Sequence, residues 1–390
     1  MGQSRVRSAE NIRGRQQAER STKEHLINPF SALSASFLAN VIKVDAVTPD
    51  TSEIEKAAAV IRDGGLVAFP TETVYGLGAD SFNEEACRAI YRAKKRPLDN
   101  PSIVHICDRR QLEAVATHIP ETASRVEEKA WPGPLTIVVK KSKSLPSVPT
   151  GGLDSVAVRM PAHPVALKLI ELSGTPIAAP SANLSGRPSP TNPQHVTDDL
   201  GDAIDMVLDA GDTFFGVEST IVDLRGKTPV LLRPGPFTVS ELQRLLGAKV
   251  RISKAAKGWA EAEVAMAPGM KYRHYAPNTK LVLVDTGTDI STVRHSTMFV
   301  AERYKGAGER VLVLSTDEIA SAYAREGYDV LSLGARGNLY TVARNLYARL
   351  RQVDALGATV VVSESFEDRG IGLAIMNRLR KAASVSIRSL

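Results

Sequence analysis

The chain has 390 residues, of which 43% are hydrophobic and 24% charged, an ordinary globular composition. This length favours two or three domains rather than one. Its two cysteines, Cys87 and Cys107, exclude a disulfide framework and a four-thiolate zinc site, and they suit a reducing compartment. The uncharged stretch 25–42 contains proline, asparagine and serine, and it is too polar to span a membrane.

The net charge of +6 is unevenly distributed along the chain. Residues 1–40 carry six Lys/Arg and three Glu, residues 281–390 carry 14 Lys/Arg and 12 Asp/Glu, and the residues between are nearly neutral. The basic balance leaves tRNA binding open without establishing it. An anion bound in the middle of the chain must therefore be held by a few well-placed cations.

Residues 1–45 are predicted to form a disordered basic tail, because Arg, Gln, Ser and Glu occur there without an apolar period. Its three glutamates argue against an organelle-targeting peptide, since such peptides avoid acidic residues. Together with the cysteine usage, this favours a cytoplasmic protein.

Residues 50–250 are predicted to form the first folded unit. Strands are predicted at 66–69, 103–106, 135–140, 156–160, 177–179, 206–208, 219–224 and 230–232, and helices at 54–62, 84–94, 109–117, 122–131, 163–173 and 238–246. Their irregular alternation favours a mixed α+β or α/β sheet. Eighteen of the 22 prolines lie between Pro70 and Pro236, and stiff loops at strand ends suit a preformed ligand cavity.

Residues 251–278 read as a linker whose end, Pro268 to Pro277, is more aromatic and basic than a passive spacer. Residues 279–390 then alternate more regularly. Strands are predicted at 281–284, 311–314, 330–333 and 359–362, and helices at 290–304, 316–326, 338–356 and 371–384. This rhythm predicts a small, Rossmann-like, doubly wound parallel sheet. No G-x-G-x-x-G follows its first strand, and the chain contains no Walker A, protein-kinase, G-x-S-x-G or H-E-x-x-H motif.

Two segments rich in small polar residues are candidate ligand loops. The run from Pro70 to Gly78 fits a strand-to-helix loop with capping hydroxyls as well as it fits a ligand loop. The run from Ala178 to Ser189 offers serine and asparagine side chains and close backbone approach, although turn formation explains the same residues.

Four basic residues lie in strands, at element ends or beside prolines, where the backbone fixes their positions: Lys94, Arg96, Arg159 and Arg233. Arg96 precedes a segment stiffened by two prolines, which suits phosphate recognition, while a helix C-terminus also favours such cations. Arg159 lies in an alternating strand, either as an exposed cation or as a bidentate carboxylate clamp. His105 lies in an apolar strand, where a packed core histidine is the commoner outcome.

Carboxylates are sparse in these segments. This argues against hydrolysis by paired acids and against an all-protein metal site. It favours a site that binds an anionic nucleotide and positions it for in-line displacement.

The run from Pro70 to Asn100 with Lys94-x-Arg96, the Ser181-x-Asn183 segment, and Arg233-Pro-Gly together resemble the threonylcarbamoyl-AMP synthase (Sua5/YrdC) family. The two-domain length and the segment from Pro268 to Tyr275 are similar to its long Sua5 form. The resemblance implies an α/β fold, with a twisted mixed-sheet YrdC-like catalytic domain followed by a Rossmann-like Sua5 domain. It also implies that the linker covers the active site.

The resemblance further implies the reaction and its site residues. The family makes threonylcarbamoyl-AMP and pyrophosphate from L-threonine, bicarbonate and ATP. The product passes to a tRNA threonylcarbamoyl-transferase complex, which modifies adenosine 37 of tRNAs that read ANN codons. The positions matching the threonine site are Thr73, His105, Arg159, Ala179 and Ser219. Those matching the ATP site are Lys94, Arg96, Asn100, Ser155, Ser181, Asn183, Ser189, Arg233 and His274, with Lys94 and Arg96 as the catalytic cations. Mg²⁺ is expected to arrive on the ATP phosphates rather than on protein ligands.

Three other functions compete with the synthase. The first is an RNA- or tRNA-binding module without catalysis, which the basic tail favours and the neutral middle disfavours. The second is carbamoyl transfer of the hydrogenase-maturation type, which two cysteines disfavour. The third is a purely regulatory role for residues 279–390, whose sequence indicates a fold but no chemistry.

Overall fold

The computed structural model describes residues 41–260, 265–271 and 274–389. The predicted tail lies outside the described residues except at its end, where Val41–Lys43 forms a strand, so the predicted tail boundary at residue 45 is wrong. This strand pairs in parallel with Met206–Asp209, which brings the chain into the sheet before the first helix. Three residues are too few for a periodic signal in the sequence.

Eleven α-helices occur in the described residues. They are α1 (Thr51–Arg62), α2 (Glu84–Lys94), α3 (Arg109–Val115), α4 (Glu121–Lys129), α5 (Pro164–Ser173), α6 (Pro193–Leu200), α7 (Val239–Leu246), α8 (Ile290–Gly306), α9 (Asp317–Arg325), α10 (Leu339–Ala355) and α11 (Gly372–Ala382).

Seventeen strands occur in the same residues. They are β1 (Val41–Lys43), β2 (Val67–Phe69), β3 (Gly76–Asp80), β4 (Ile103–His105), β5 (Ala116–Thr117), β6 (Leu135–Lys141), β7 (Ser155–Arg159), β8 (Ile177–Ala179), β9 (Met206–Asp209), β10 (Thr220–Asp223), β11 (Val230–Arg233), β12 (Arg251–Ile252), β13 (Lys280–Val284), β14 (Val311–Ser315), β15 (Asp329–Ser332), β16 (Val360–Ser363) and β17 (Val385–Ile387).

The larger sheet has 12 strands in the order β1-β9-β2-β3-β8-β4-β7-β6-β10-β11-β12, with β5 paired to β6. Parallel and antiparallel pairs are mixed, as the irregular alternation predicted. Both faces are covered, because β2 buries Val67 and Phe69 against α1 and α5 and buries Ala68 in the cluster that holds α2. The strand β12 shows that the first two residues of the predicted linker belong to this sheet.

The smaller sheet has the order β15-β14-β16-β13-β17, and every pair in it is parallel. In β13, Leu281 and Leu283 pack in the cluster of α10 and α11, whereas Val282 and Val284 pack in the cluster of α8 and α9. Helices on both faces of a parallel sheet confirm the predicted doubly wound domain.

The two sheets share a continuous apolar core. The cluster under α10 and α11 also contains Val74 and Val217 of the first sheet's loops and Tyr275 of the linker. The contact is also polar, because Arg351 of α10 lies 2.7 Å from Asp199 of α6 in a buried ion pair. Loops of the larger sheet are thus held directly against the smaller domain. Among the described residues, no helix has both the length and the apolar character needed to cross a membrane.

Candidate active site

A cleft with about 650 Å³ of empty space opens among the loops of the larger sheet and is covered in part by the linker. It brings together 12 of the 14 residues implied by the resemblance. These are Thr73, Lys94, Arg96, His105, Arg159, Ala179, Ser181, Asn183, Ser189, Ser219, Arg233 and His274.

Strand register places the threonine-site candidates side by side. In the parallel pair β4–β7, His105 lies opposite Arg159, and in the antiparallel pair β4–β8, Ile103 lies opposite Ala179. The loop that follows β2 runs into another strand, β3, so the interpretation of this run as a strand-to-helix loop is wrong. Since Gly-Leu-Gly has low β-propensity, β3 leaves no signal in the sequence.

A chain of hydroxyl groups in this loop presents Thr73 to Arg159. Thr71 Oγ1 donates to the Val74 carbonyl at 2.6 Å, so the 2.8 Å contact between Thr71 and Thr73 requires the Thr73 hydroxyl to donate. The Thr73 oxygen then accepts from Arg159 Nη1 at 2.9 Å. Both side chains are thereby fixed before any ligand binds.

The guanidinium of Arg159 has further partners that hold it in place. Its Nε donates to the Gly133 carbonyl at 3.2 Å, and its Nη2 lies 2.6 Å from Glu72 Oε2, close but not aligned as a hydrogen bond. His105 beside it is buried, and burial, helped by the charge of Arg159, lowers its pKa to about 3. A neutral imidazole therefore lies next to one fixed positive charge.

The side chain of Lys94 is 1% exposed and reaches the cleft from the last residue of α2. Its Nζ donates to the carbonyls of Ser181 and Asn183, which fixes the loop after β8 against the helix. Burial lowers the pKa of Lys94 well below its usual value, and the charge of Arg96 lowers it further. An anion bound here would offset the repulsion between the charges of Lys94 and Arg96.

The end of α2 aims Arg96 at the cleft. Lys95 adopts a left-handed φ of 52°, and Arg96 N donates back to the Tyr91 carbonyl at 2.9 Å, as in a Schellman ending. The Arg96 side chain then donates to the carbonyls of Asn100 and Pro101 at 3.1 and 2.9 Å. Asn100 thus contributes its backbone to positioning Arg96.

Two predicted ATP-site residues are not among those that line this cleft, Asn100 and Ser155. Both are buried, Ser155 at the start of β7 and Asn100 behind Arg96. Ser155 lies four residues before Arg159 in the same strand, which carries it away from the end where Arg159 enters the site.

Arg233 ends β11 and bonds twice to one residue, since its Nε donates to the Ser219 carbonyl and its Nη2 to the Ser219 hydroxyl, both at 3.1 Å. The same hydroxyl lies 2.8 Å from Thr136 Oγ1. Burial lowers the pKa of Arg233, while the carboxylate of Glu218 opposes that shift. The guanidinium is thus held by fixed neighbours in the lining of the cleft.

The linker residues His274 and Tyr275 also line the cleft. Burial, reinforced by the charge of Arg96, lowers the pKa of His274 to about 3. Tyr275 is buried at a left-handed φ of 68°, and its ring stacks on Tyr347 of α10 at 5.2 Å between centroids. The linker therefore packs against the smaller domain as well as against the larger one.

Several residues in and around the site are absent from the predicted site set, and four of them form charged or hydroxyl contacts that shape it. Glu72 lies in the run that was predicted as a ligand loop for its small polar residues, Glu218 lies next to Ser219, and Tyr347 and Arg378 come from the other domain. The two acids stand next to threonine or serine at predicted site positions, which is the signal that could have found them. Helix periodicity assigns Tyr347 and Arg378 only to a buried face.

The side chains that line the cleft suit the binding and orientation of anions. Lys94, Arg96, Arg159 and Arg233 converge with hydroxyls and amides, and both nearby carboxylates are engaged by arginines. Within the described ranges, no group of three or more His, Cys, Asp or Glu side chains could hold a metal ion. Together the fold and the site define an α/β protein with a concave small-molecule cleft lined by cations, hydroxyl groups and amides.

Comparison with known proteins agrees with this class. The family model described as "Telomere recombination" matches residues 59–235, and that described as "Threonylcarbamoyl-AMP synthase, C-terminal domain" matches residues 237–384. The threonylcarbamoyl-AMP synthase of Pyrococcus abyssi is 48% identical over 335 residues, which is 86% of this chain and 95% of the relative. The Bacillus subtilis enzyme of the same name is 45% identical, covering 87% and 95%.

A solved structure matches most of the chain. The crystal structure of P. abyssi Sua5 complexed with L-threonine matches with a TM-score of 0.83 at 46% identity, covering 90% of this chain and 99% of that one. The chain belongs to the threonylcarbamoyl-AMP synthase family, in its two-domain Sua5 form.

Proposed function

We propose that this chain makes threonylcarbamoyl-AMP and pyrophosphate from L-threonine, bicarbonate and ATP in the cleft of the larger sheet. The observation that carries the proposal is the convergence of four buried cations on one cleft that also presents Thr73 beside Arg159. The product serves N6-threonylcarbamoylation of adenosine 37 in tRNAs that read ANN codons.

The threonine end of the cleft is assigned to Thr73, His105, Arg159, Ala179 and Ser219. Arg159 pairs with the substrate carboxylate, because a guanidinium already fixed by neighbours loses little freedom on binding. The neutral His105 and the backbone at Ala179 supply close contacts without adding charge.

The nucleotide end is assigned to the remaining predicted residues. They are Lys94, Arg96, Asn100, Ser155, Ser181, Asn183, Ser189, Arg233 and His274. Asn100 and Ser155 act through the buried layer behind the cleft and not at its surface. Lys94 and Arg96 are the catalytic cations, because they are buried beside each other and a bound phosphate offsets the repulsion between their charges.

The threonine amine combines with CO2 derived from bicarbonate to give a carbamate and release a proton. A carbamate oxygen then bonds to the α-phosphorus of ATP as the bond to the β-phosphate oxygen breaks and pyrophosphate leaves. Lys94, Arg96 and Arg233 stabilise the charge that builds on the phosphates. The linker residues that cover the cleft keep water away from the labile mixed anhydride.

Mg²⁺ enters with the substrate as its ATP complex. The carboxylates nearest the cleft, Glu72 and Glu218, are each paired with an arginine, and this donor set suits a metal held by phosphate oxygens better than one held by the protein. The product passes to a tRNA threonylcarbamoyl-transferase complex in the cytoplasm.

The test is pyrophosphate release from MgATP with L-threonine and bicarbonate present together or omitted in turn. We expect release only when both are present, and loss of release in Arg96→Ala. Arg92→Ala is the matched control, because Arg92 lies in the last turn of the helix that precedes Arg96, with its side chain exposed and paired with Glu85. Thermal unfolding of each variant separates loss of activity from loss of fold.

ATP-independent, salt-sensitive tRNA binding with no threonine-dependent release would contradict the synthase and support the binding module. Release that proceeds without bicarbonate would contradict the carbamate step alone.

A further inference from the structure

The carboxylate of Glu218 places a negative charge in the lining of a cleft that is otherwise rich in cations. Glu218 precedes β10, is buried, and lines the cleft beside Ser219 and Arg233. Its Oε1 accepts from the Ser189 hydroxyl at 2.6 Å, so the carboxylate also sets the direction of a predicted ATP-site residue. Left alone, a carboxylate here would repel the triphosphate and offset part of the charge of Arg233.

The second carboxylate oxygen is held from the smaller domain. Glu218 Oε2 accepts from Arg378 Nη2 at 2.9 Å and Nε at 3.1 Å, and from the Tyr347 hydroxyl at 2.8 Å. Arg378 is 0% exposed and also donates to the carbonyl of Pro234, the residue after Arg233. One arginine of α11 thus contacts two segments that build the nucleotide end of the cleft.

This pair is charged at neutral pH. Burial by itself would raise the pKa of Glu218, but Arg378 and Arg233, with the hydrogen bond from Ser189, lower it to about 2. Glu218 is therefore an anion, and the larger part of its compensation comes from a residue 160 positions away in the other domain.

We propose that Arg378 is a positioning residue for ATP: from the smaller domain it neutralises Glu218 and so makes the nucleotide end of the catalytic cleft able to accept a triphosphate. This gives the Rossmann-like domain a direct part in substrate binding. The role rests on the proposed function for the identity of the nucleotide, while the ion pair itself does not depend on it.

The experiment measures ATP and L-threonine affinity by titration calorimetry on the full chain, together with pyrophosphate release. Arg378→Met removes the cation that is hydrogen-bonded to Glu218, and we expect ATP to bind about tenfold or more weakly while threonine affinity changes by less than about threefold. The double variant E218Q/R378M removes both charges, and we expect ATP affinity to return to within about threefold of the original.

The matched control is Arg380→Met. Arg380 lies on the same helix, is buried and pairs across the structure with Asp285 and Asp368, but it does not contact Glu218. We expect it to lower the thermal midpoint without changing ATP affinity. If Arg378 only supported the fold, Arg378→Met would behave like Arg380→Met, with a lower thermal midpoint and no selective loss of ATP affinity.

Failure to recover ATP affinity in E218Q/R378M, while the double variant remains folded by circular dichroism, would overturn the charge-compensation proposal. A wild-type chain that binds ATP but releases no pyrophosphate would overturn the proposed reaction and leave this comparison of affinities valid. No ATP binding by the wild-type chain would overturn both.

Discussion

Arg159 Nη1 donates a hydrogen bond of 2.9 Å to Thr73 Oγ1, joining the end of β7 to the loop after β2. The same guanidinium lies against Glu72, so the clamp is neutralised and preorganised before substrate arrives. A substrate carboxylate that replaces Glu72 or shares Arg159 with it would require little further reorganisation of the site.

Arg159→Lys tests this clamp without creating an unpaired acid. Lysine keeps the charge opposite Glu72 but cannot reach Thr73, Gly133 and a carboxylate at once. We expect KM for threonine to rise about tenfold to a hundredfold, corresponding to about 1.5–3 kcal/mol for a lost charged hydrogen bond. KM for ATP should stay within about threefold.

The control is Arg225→Lys, since Arg225 pairs with Asp223 at the surface side of the same sheet. Steady-state pyrophosphate release at varied threonine and at varied ATP measures both constants. An unchanged threonine KM in Arg159→Lys would place the substrate carboxylate elsewhere.

The sequence predicts the cations of the site but not their counter-charges. Lys94, Arg96 and Arg233 lie next to prolines, helix ends or strand ends, and such local features are visible in a sequence. The pair Glu218–Arg378 joins residues 160 positions apart, and a contact across two domains leaves no periodic signal in either. The strand β3 escapes prediction for a different reason, because tertiary pairing on both sides overrides the weak β-propensity of its glycines.

Gly216 is expected to control how closely the Glu218 loop approaches the smaller domain. It adopts a φ of 69°, and a Cβ there would lie 2.3 Å from the Arg344 carbonyl oxygen of α10. Gly216→Ala should therefore lower stability through left-handed strain of about 1–2 kcal/mol and through the clash, which adds about 1–3 kcal/mol.

Gly211→Ala separates the two contributions. Gly211 has a φ of 77°, and a Cβ added there would have no atom within 4 Å, so only the strain applies. The measurement is the midpoint of thermal unfolding together with ATP affinity. Equal losses of thermal midpoint in the two variants would show that the loop can move away from α10 at no further cost in stability.

We expect the folded protein to lose stability in mild acid because of His195. Its Nδ1 accepts from the Thr191 N–H at 3.2 Å, and burial, with the charge of Arg351, lowers its pKa to about 4 although Asp199 opposes the shift. The unfolded chain takes up a proton near pH 6.5 while the folded chain does not. Stability from this group is therefore complete above about pH 6.5 and is lost as the pH falls towards 4.

His195→Gln retains an acceptor for Thr191 but cannot titrate. Between about pH 7.5 and 5.5 we expect the variant to lose about 1 kcal/mol less stability than the wild type, since one pKa unit corresponds to about 1.4 kcal/mol. Chemical unfolding at the two pH values measures the difference. His295→Gln, at an exposed position of α8, should keep the wild-type dependence.

Lys94 is expected to contribute both to the stability of the fold and to pyrophosphate release. Two variants, Lys94→Met and Lys94→Arg, separate these contributions. Lys94→Met removes the charge and leaves the carbonyls of Ser181 and Asn183 without their buried donor, which costs about 1–3 kcal/mol for each unsatisfied group. We expect pyrophosphate release to fall about a hundredfold or more. Lys94→Arg keeps a donor and a charge but adds volume, so stability should recover more than activity.

Lys95→Met, at the exposed neighbour, controls for the loss of a lysine at this helix end and should leave both quantities unchanged. Thermal unfolding and pyrophosphate release are measured on all three variants. If Lys94→Met kept its activity while losing stability, the lysine would be a structural pin between α2 and the loop after β8. The charge on the phosphates would then be stabilised by Arg96 and Arg233, which lie in the same cleft.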